Sequence, residues 1–186
     1  MPSTPRREQI LGAAARLFAE RGFHGVSVHD IGAACGISGP ALYRHFAGKD
    51  DLLDQSLTAI SERHVQEATA RIAQHADPAE ALDSLISWHI DFALRHPELI
   101  VIQDREWSNL TDDAQRRVRT LQLTYIDIWV DVLRRLRSDL EPAEARAAIQ
   151  AMFGLLNSTP HSARISEDRM RSLLAAMARA ALLGSA

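Results

Sequence analysis

Apolar residues recur every three or four positions along almost the whole chain, and no stretch alternates cleanly between apolar and polar residues. Ile10, Ala14, Leu17 and Phe18 form the first such stripe, and a longer one runs through "VRTLQLTYIDIWVDVLRRL". A period of three to four residues is typical of an α-helix with one buried face, whereas strands alternate with a period of two. The pattern therefore predicts an all-α fold.

Residues typical of helix ends divide this pattern into about nine helices. Ser27 with Asp30 has the form of a capping box, while Gly22, Gly36 and Pro97 end the helices that precede them. In chain order the nine helices begin at or beside Pro5, Ser27, Ser38, Lys49, Pro78, Pro97, Thr111, Pro142 and Ser166. The third is expected to end near Phe46. Three short helices are followed by about six longer ones, which suggests two domains, 1–48 and 49–186.

Residues 28 to 46 have the spacing of a helix-turn-helix. Gly32 carries no side chain at the point where the second helix must cross the first, and Gly36 lies in a sharp turn that favours a positive φ. Ile31, Leu42 and Phe46 would fill the small core between the helices. Such a motif binds DNA in many proteins, although the same shape also occurs as a packing or protein-docking unit.

The second helix of this motif has an outward face suited to a DNA groove. A turn of about 100° per residue places Leu42 and Phe46 inward and Pro40 and Arg44 outward. Small residues at its start fit a major groove about 12 Å wide, and a guanidinium can bind a guanine edge. Side chains at the flanks suit phosphates. The predicted DNA contacts are Ser27, Ser38, Gly39, Pro40, Ala41, Tyr43, Arg44, His45 and Lys49.

The charge distribution supports a polyanionic partner. The 186-residue chain has a formal net charge of −3, yet residues 1 to 50 carry six Lys and Arg against four Asp and Glu. A basic segment on an otherwise acidic protein attracts nucleic acid. Double-stranded DNA is therefore the expected partner of the N-terminal domain.

Other classes of function find little support in the sequence. The eight histidines show no paired metal-ligand spacing, and "GKD" lacks the Ser or Thr that follows Lys in a phosphate-binding loop. We therefore predict no enzyme activity, no cofactor and no metal. Neither a leader nor a membrane-spanning run is expected. The single cysteine, Cys35, indicates a reducing cytoplasm, and its place at a helix contact predicts a buried, inert thiol.

Five motifs within residues 6 to 53 resemble the N-terminal domain of the tetracycline-repressor (TetR) family of bacterial transcriptional regulators: "LFAERGF", "DIG", "CGIS", "LYRHF" and "GKDDLL". Family members often carry alanine where Gly32 and Cys35 stand, threonine at Ala41 and serine at Gly48. The resemblance implies that helices 1 to 4 bind DNA and that helices 4 to 7 enclose an effector. It also implies that helices 8 and 9 form a homodimer and that the usual mode of control is repression.

Aromatic residues in the second half of the chain suggest a small-molecule pocket. The predicted effector-binding residues are Trp88, His89, Phe92, Arg105, Tyr125 and Trp129. Mostly apolar walls with a few polar groups are usual for such sites. Arg105 could grip a carboxylate, so a small hydrophobic effector, an acid or an acyl thioester, is expected. The alternative is that the rings form plain core and that Arg105 pairs with a protein carboxylate.

The eighth and ninth predicted helices suit self-association. Ala147, Ala151 and Gly154 allow close helix approach, and Leu173 and Met177 continue an apolar face near the end of the chain. A two-fold pair would place two recognition helices one DNA turn apart on a near-palindromic operator. The sequence thus predicts an effector-released, homodimeric repressor. The alternatives are a helical protein-interaction module without DNA binding and, less favoured, an enzyme.

Overall fold

The computed structural model describes residues 5–184. Within this range the chain forms ten α-helices and one 3₁₀ turn, Trp107–Asn109, without a β-strand. The helices are α1 (Pro5–Arg21), α2 (Val28–Ala34), α3 (Gly39–Leu42), α4 (Lys49–Gln74), α5 (Pro78–Arg95), α6 (Pro97–Arg105), α7 (Asp112–Leu136), α8 (Pro142–Leu156), α9 (Thr159–Ser162) and α10 (Glu167–Leu183). The predicted all-α class is confirmed.

Two helices differ from the prediction. α3 ends at Leu42 and not near Phe46, because the Leu42 carbonyl accepts the backbone N–H of both His45 (2.9 Å) and Phe46 (3.1 Å). The bond from His45 spans three residues, a tighter spacing that often closes the last turn of a helix. The four-residue α9 was not predicted, and it makes α10 the ninth helix of the sequence-based scheme. The other helices begin and end close to their predicted positions.

The structure groups the chain into two compact units, and each contains segments distant in sequence. The first unit holds the chain up to Ser61 together with Glu98–Arg119. Its continuous apolar core contains residues of α1 to α4 and also of α6 and the start of α7; the central members are Phe18, Ile31, Leu42, Phe46, Leu53, Leu57, Ile102 and Val118. The unit that holds the helix-turn-helix thus extends beyond the boundary expected at residue 48.

Two glycines set the angle between α2 and α3. Gly36 has φ of 63°, the left-handed conformation that side chains rarely adopt. A Cβ added to Gly32 would lie 2.8 Å from the Ile37 carbonyl oxygen, closer than packed atoms approach. The backbones of α2 and of the following turn therefore touch directly, as the sequence predicts.

The second unit comprises Glu62–Pro97 and the chain from Thr120 onward. Within it α10 packs against α5 and α8. Ion pairs of Arg171 with Asp91 and of Arg179 with Asp83 join α10 to α5 at the surface. The largest buried side chains of this unit include Trp129, Leu82, Leu85 and Ile90. No helix within residues 5–184 combines the length and the hydropathy that crossing a bilayer requires.

We expect Gly32→Ala to lower the free energy of unfolding by about 1–3 kcal/mol, because its new methyl group would press on a backbone oxygen that cannot move aside. Urea denaturation followed by circular dichroism measures this change. Gly12→Ala is the matched control: its Cβ would meet only the flexible end of Arg16, at 3.6 Å. Equal stability of the two variants would contradict the close crossing.

Candidate functional site

The short helix α3 presents an exposed face in the first unit. Leu42 and Phe46 are 0% and 2% exposed and anchor the segment in the core. Pro40, Arg44 and His45 are exposed on the other side. Tyr43, Gly39 and Ala41 complete the surface, with Tyr43 57% exposed and the two small residues half-buried. The helix therefore has a narrow, small-residue start and a cationic, aromatic end.

The two serines expected beside this face differ in their hydrogen bonding. Ser27 occupies the N-cap of α2, where its Oγ accepts the Asp30 N–H (3.1 Å) and donates to Asp30 Oδ2 (2.5 Å). The hydrogen bond from the Ser27 hydroxyl is the main reason why the pKa of the Asp30 carboxyl lies below its usual value. Ser38 occupies the N-cap of α3 without a side-chain cap bond, and it is exposed. Its hydroxyl is thus available to an external partner, whereas that of Ser27 is engaged in the predicted capping box.

Two arginines of α1 lie against the helix-turn-helix. The Arg6 guanidinium donates to the Cys35 carbonyl at 3.0 Å, and that of Arg7 lies 4.8 Å from the centre of the Phe46 ring. They add positive charge next to the segment that carries α3. Cys35 itself is buried, as predicted, and burial raises the pKa of its thiol. A thiol of this kind is a packing residue and a poor nucleophile.

Lys49 has an internal partner that sequence reasoning missed. Its Nζ donates to the Phe23 carbonyl at 2.8 Å and lies 4.2 Å from the centre of the Phe23 ring. The prediction for Lys49 is a contact with a DNA phosphate. In the structure its ammonium group also binds the loop between α1 and α2, and this contact holds a positive charge at the first turn of α4.

The buried carboxylate of Glu106, which lies 83 residues later in the chain, also binds Phe23. Glu106, 6% exposed, accepts the Phe23 N–H at 3.1 Å and the Asn109 side-chain amide at 2.7 Å. Phe23 is therefore held through its N–H, its carbonyl and its ring. We call Phe23, Lys49 and Glu106 the Phe23 clamp. The Phe23 clamp joins the loop before the helix-turn-helix to the end of α6. The sequence around Glu106 gives no sign that this side chain is buried, because an acid near a helix end usually faces solvent.

The second unit gathers most of the predicted effector residues into one cluster. The aromatic cluster consists of His64, Trp88, His89, Phe92, Tyr125, Trp129 and Phe153. Ring centres lie 4.5 Å apart for His64 and Phe92, 5.0 Å for His64 and Tyr125, and 5.1 Å for Trp129 and Phe153. Five of the six predicted residues belong to it. His64 and Phe153 were not predicted to belong to the effector site, although both lie one or two helical turns from other apolar residues.

Hydrogen bonds organise the centre of this cluster. His89 Nδ1 lies 3.0 Å from the Tyr125 hydroxyl, and His89 Nε2 lies 3.0 Å from Asn157 Oδ1. Since the amide oxygen only accepts, Nε2 carries the proton and Nδ1 accepts from Tyr125. Burial lowers the pKa of His89 to about 4, lowers that of His64 well below its usual value and raises that of Tyr125. These side chains are consequently uncharged at neutral pH.

Arg105, the sixth predicted effector residue, is not a member of the aromatic cluster. It is exposed at the end of α6 and belongs to the first unit, whereas all members of the cluster belong to the second. α6 buries Ile100 and Ile102, while Arg105, its last residue, is exposed. Among the described residues no group of His, Cys, Asp and Glu could hold a metal ion.

Comparison with known families assigns both halves of the chain. The family model described as "Bacterial regulatory proteins, tetR family" matches residues 10–55, and that described as "Tetracyclin repressor-like, C-terminal domain" matches residues 75–161. The first covers the helix-turn-helix, and the second contains most of the aromatic cluster.

Individual relatives agree with this assignment. The HTH-type transcriptional repressor KstR2 of Mycobacterium tuberculosis is 30% identical over 138 residues, which cover 70% of this chain and 66% of that protein. A TetR-family regulator from Bordetella parapertussis has the same fold, with a TM-score of 0.84 at 22% identity, over 98% of this chain and 96% of the other. AibR, solved in complex with isovaleryl coenzyme A and operator DNA, matches with a TM-score of 0.72 at 22% identity, over 92% and 97% of the two chains. The matched part spans just under two thirds of the KstR2 chain. Both family models and this relative place the chain in the tetracycline-repressor (TetR) family, whose members are bacterial transcriptional regulators and not enzymes.

Proposed function

We propose that this protein is an effector-responsive repressor of transcription that binds a near-palindromic operator as a homodimer in the bacterial cytoplasm. The observation that carries the proposal is the exposed face of α3, where small residues precede Tyr43, Arg44 and His45 on a helix anchored by Leu42 and Phe46. A helix-turn-helix that served only internal packing would bury this face. Family membership supports DNA binding over a protein-interaction module.

Each part of the exposed face suits one kind of DNA contact. Gly39, Pro40 and Ala41 let the start of α3 approach base edges and thymine methyl groups in the major groove. Arg44 reaches a guanine, whose two acceptors match a guanidinium. Phosphates are bound by Tyr43, His45, the hydroxyl of Ser38 and the exposed rim at Ser27. Lys49 contributes mainly through its charge, which the Phe23 clamp holds in place.

The homodimer forms through α8 and α10. α10 exposes Leu173 (47%) and Met177 (44%), one turn apart on one side of the helix. α8 exposes Ala147, Ala151 and Gly154, whose small size permits close contact between helices. Apolar side chains of this size and spacing on a surface are typical of protein interfaces.

The effector binds at the aromatic cluster and releases the operator through α4. This helix carries Lys49 at its first turn and His64 farther along, so it belongs to both the clamp and the cluster. A ligand that displaces His64 can shift α4 and, through Lys49 and Phe23, the position of α3. The proposal is supported by AibR, which was solved in complex with isovaleryl coenzyme A and operator DNA.

Arg44→Ala should weaken binding to the selected operator by about 1–3 kcal/mol and relax preference at one base pair, because a bidentate base contact is lost. Fluorescence anisotropy with selected and random duplexes measures both effects. Arg164→Ala, which removes one charge from an exposed position in the second unit, should change neither. Equal losses on selected and random DNA would assign Arg44 to the phosphates instead.

Lys49→Met should weaken binding to all duplexes alike and make the slope of log K against log salt shallower by about one, since one phosphate-neutralising charge disappears. Thermal unfolding of the same variant should show a lower Tm, because the bond to the Phe23 carbonyl is lost. A loss confined to the selected operator, with the salt slope unchanged, would exclude this role.

Leu173→Glu should convert the dimer into a monomer at micromolar concentration, because it places charges opposite each other at a two-fold apolar contact. Light scattering after size-exclusion chromatography measures the mass. Leu123→Glu, at an equally exposed leucine of α7 (48%), should remain dimeric. If both variants remained dimeric, the interface would lie elsewhere.

A further inference from the structure

Three buried side-chain atoms in the second unit have no hydrogen-bond partner among the described residues. They are His64 Nε2, Arg71 Nε and Trp129 Nε1. About nine buried polar groups in ten are hydrogen-bonded in folded proteins, so three such atoms in one region call for a partner. The rings of His64 and Trp129 both contact those of His89 and Tyr125.

Arg71 belongs to the same region. It lies seven residues after His64 on α4, which puts the two on one face of the helix, two turns apart. Burial raises the pKa of Tyr125, while the nearby Trp129 N–H and the Arg71 charge oppose this rise. The Trp129 N–H thus lies close to the phenol, although its geometry falls short of a hydrogen bond. The His64 and Trp129 rings therefore both pack against Tyr125, and Arg71 follows His64 on the same face of α4.

All three atoms can donate. Tryptophan Nε1 and arginine Nε have no acceptor function, and a neutral histidine donates from Nε2 in the matching tautomer. Their common complement is a molecule that presents oxygen acceptors. Two protein acceptors of this region, Asn157 Oδ1 and His89 Nδ1, already receive hydrogen bonds.

The positive charge of Arg71 favours a ligand whose oxygen acceptor is negatively charged. Arg71 Nη2 lies 3.5 Å from Glu67 Oε2 and Arg71 Nη1 donates to Ser84 Oγ at 3.2 Å, whereas the buried Nε has no hydrogen-bond partner among the described residues. The ion pair is long and partly exposed, with side-chain exposures of 29% and 36%. Such an ion pair contributes little binding energy, so a ligand carboxylate can compete with Glu67 for the guanidinium. The imidazoles beside it are neutral and cannot bind an anion by charge.

We propose that the effector is an apolar monocarboxylic acid whose carboxylate binds Arg71 and whose chain lies among the aromatic rings, with an oxygen acceptor in that chain bound by His64. This assignment rests on the proposed effector site and deepens it. It transfers to Arg71 the role that the sequence gave to Arg105. A hydrogen bond between a guanidinium and a carboxylate is stronger than one between neutral groups.

Isothermal titration calorimetry with decanoate, 1-decanol and 9-oxodecanoate tests the assignment on the full-length dimer. Decanoate should bind the unchanged protein at least tenfold more tightly than 1-decanol. Arg71→Gln should remove this advantage, because a lost charge-assisted bond corresponds to tenfold or more in affinity. Arg105→Gln, the matched control, should leave it intact. 9-Oxodecanoate should bind about three- to tenfold more tightly than decanoate, and His64→Phe, which keeps a ring, should abolish that preference.

Opposite results overturn the proposal. Equal binding of acid and alcohol, or equal effects of the two arginine substitutions, would mean that solvent satisfies Arg71. A dissociation constant above about 1 mM for every probe would exclude apolar monocarboxylic acids as the ligand class. If the protein nevertheless bound a selected operator and released it with an uncharged molecule, the proposed repressor function would stand and only the acid class would fall.

Discussion

The close approach between the backbone at Gly32 and the Ile37 carbonyl oxygen fixes how α2 and the turn before α3 pack together. At that point α2 and the turn before α3 approach so closely that a single added methyl group would lie 2.8 Å from the oxygen. The crossing turns Leu42 and Phe46 into the core and leaves Pro40 and Arg44 outside. The exposed side chains of α3 therefore depend for their position on the backbone contact at Gly32.

The Phe23 clamp connects this geometry to the rest of the chain. Glu106 and Lys49 hold the N–H and the carbonyl of one loop residue, and the carboxylate is buried. Breaking one partner of such an arrangement leaves a buried polar group unpaired, which costs more than the bond itself contributes. Within the first unit, Phe23 therefore joins the start of α4 and the residue after α6 to the loop that precedes the helix-turn-helix.

Sequence periodicity was sufficient for features that depend on local structure. The outward position of Arg44, the cap at Ser27 and the aromatic stripes at Trp88 and Tyr125 all follow from helical spacing. Contacts between distant segments could not be predicted in this way. Glu106 meets Phe23 across 83 residues, and a lone acid near a helix end usually faces water.

The failure at Arg105 has a similar cause. α6 is apolar on every side at "LIVI", so its period does not say which face is buried, and the structure turns Arg105 to solvent. Arg71 lies in a more polar part of α4, where the sequence offers no apolar stripe to mark an inward face. Its proximity to Tyr125 depends on the packing of α4 against α7, which only the folded unit reveals.

The most direct test of the account is the selection of duplexes from a random library by the purified protein, followed by affinity measurement of the selected sequence at several salt concentrations. The account predicts enrichment of an inverted repeat with half-sites one helical turn apart, or a multiple of that, and an affinity that falls steeply with salt. Absence of any enriched sequence, with duplex binding that is weak and insensitive to salt, would contradict it.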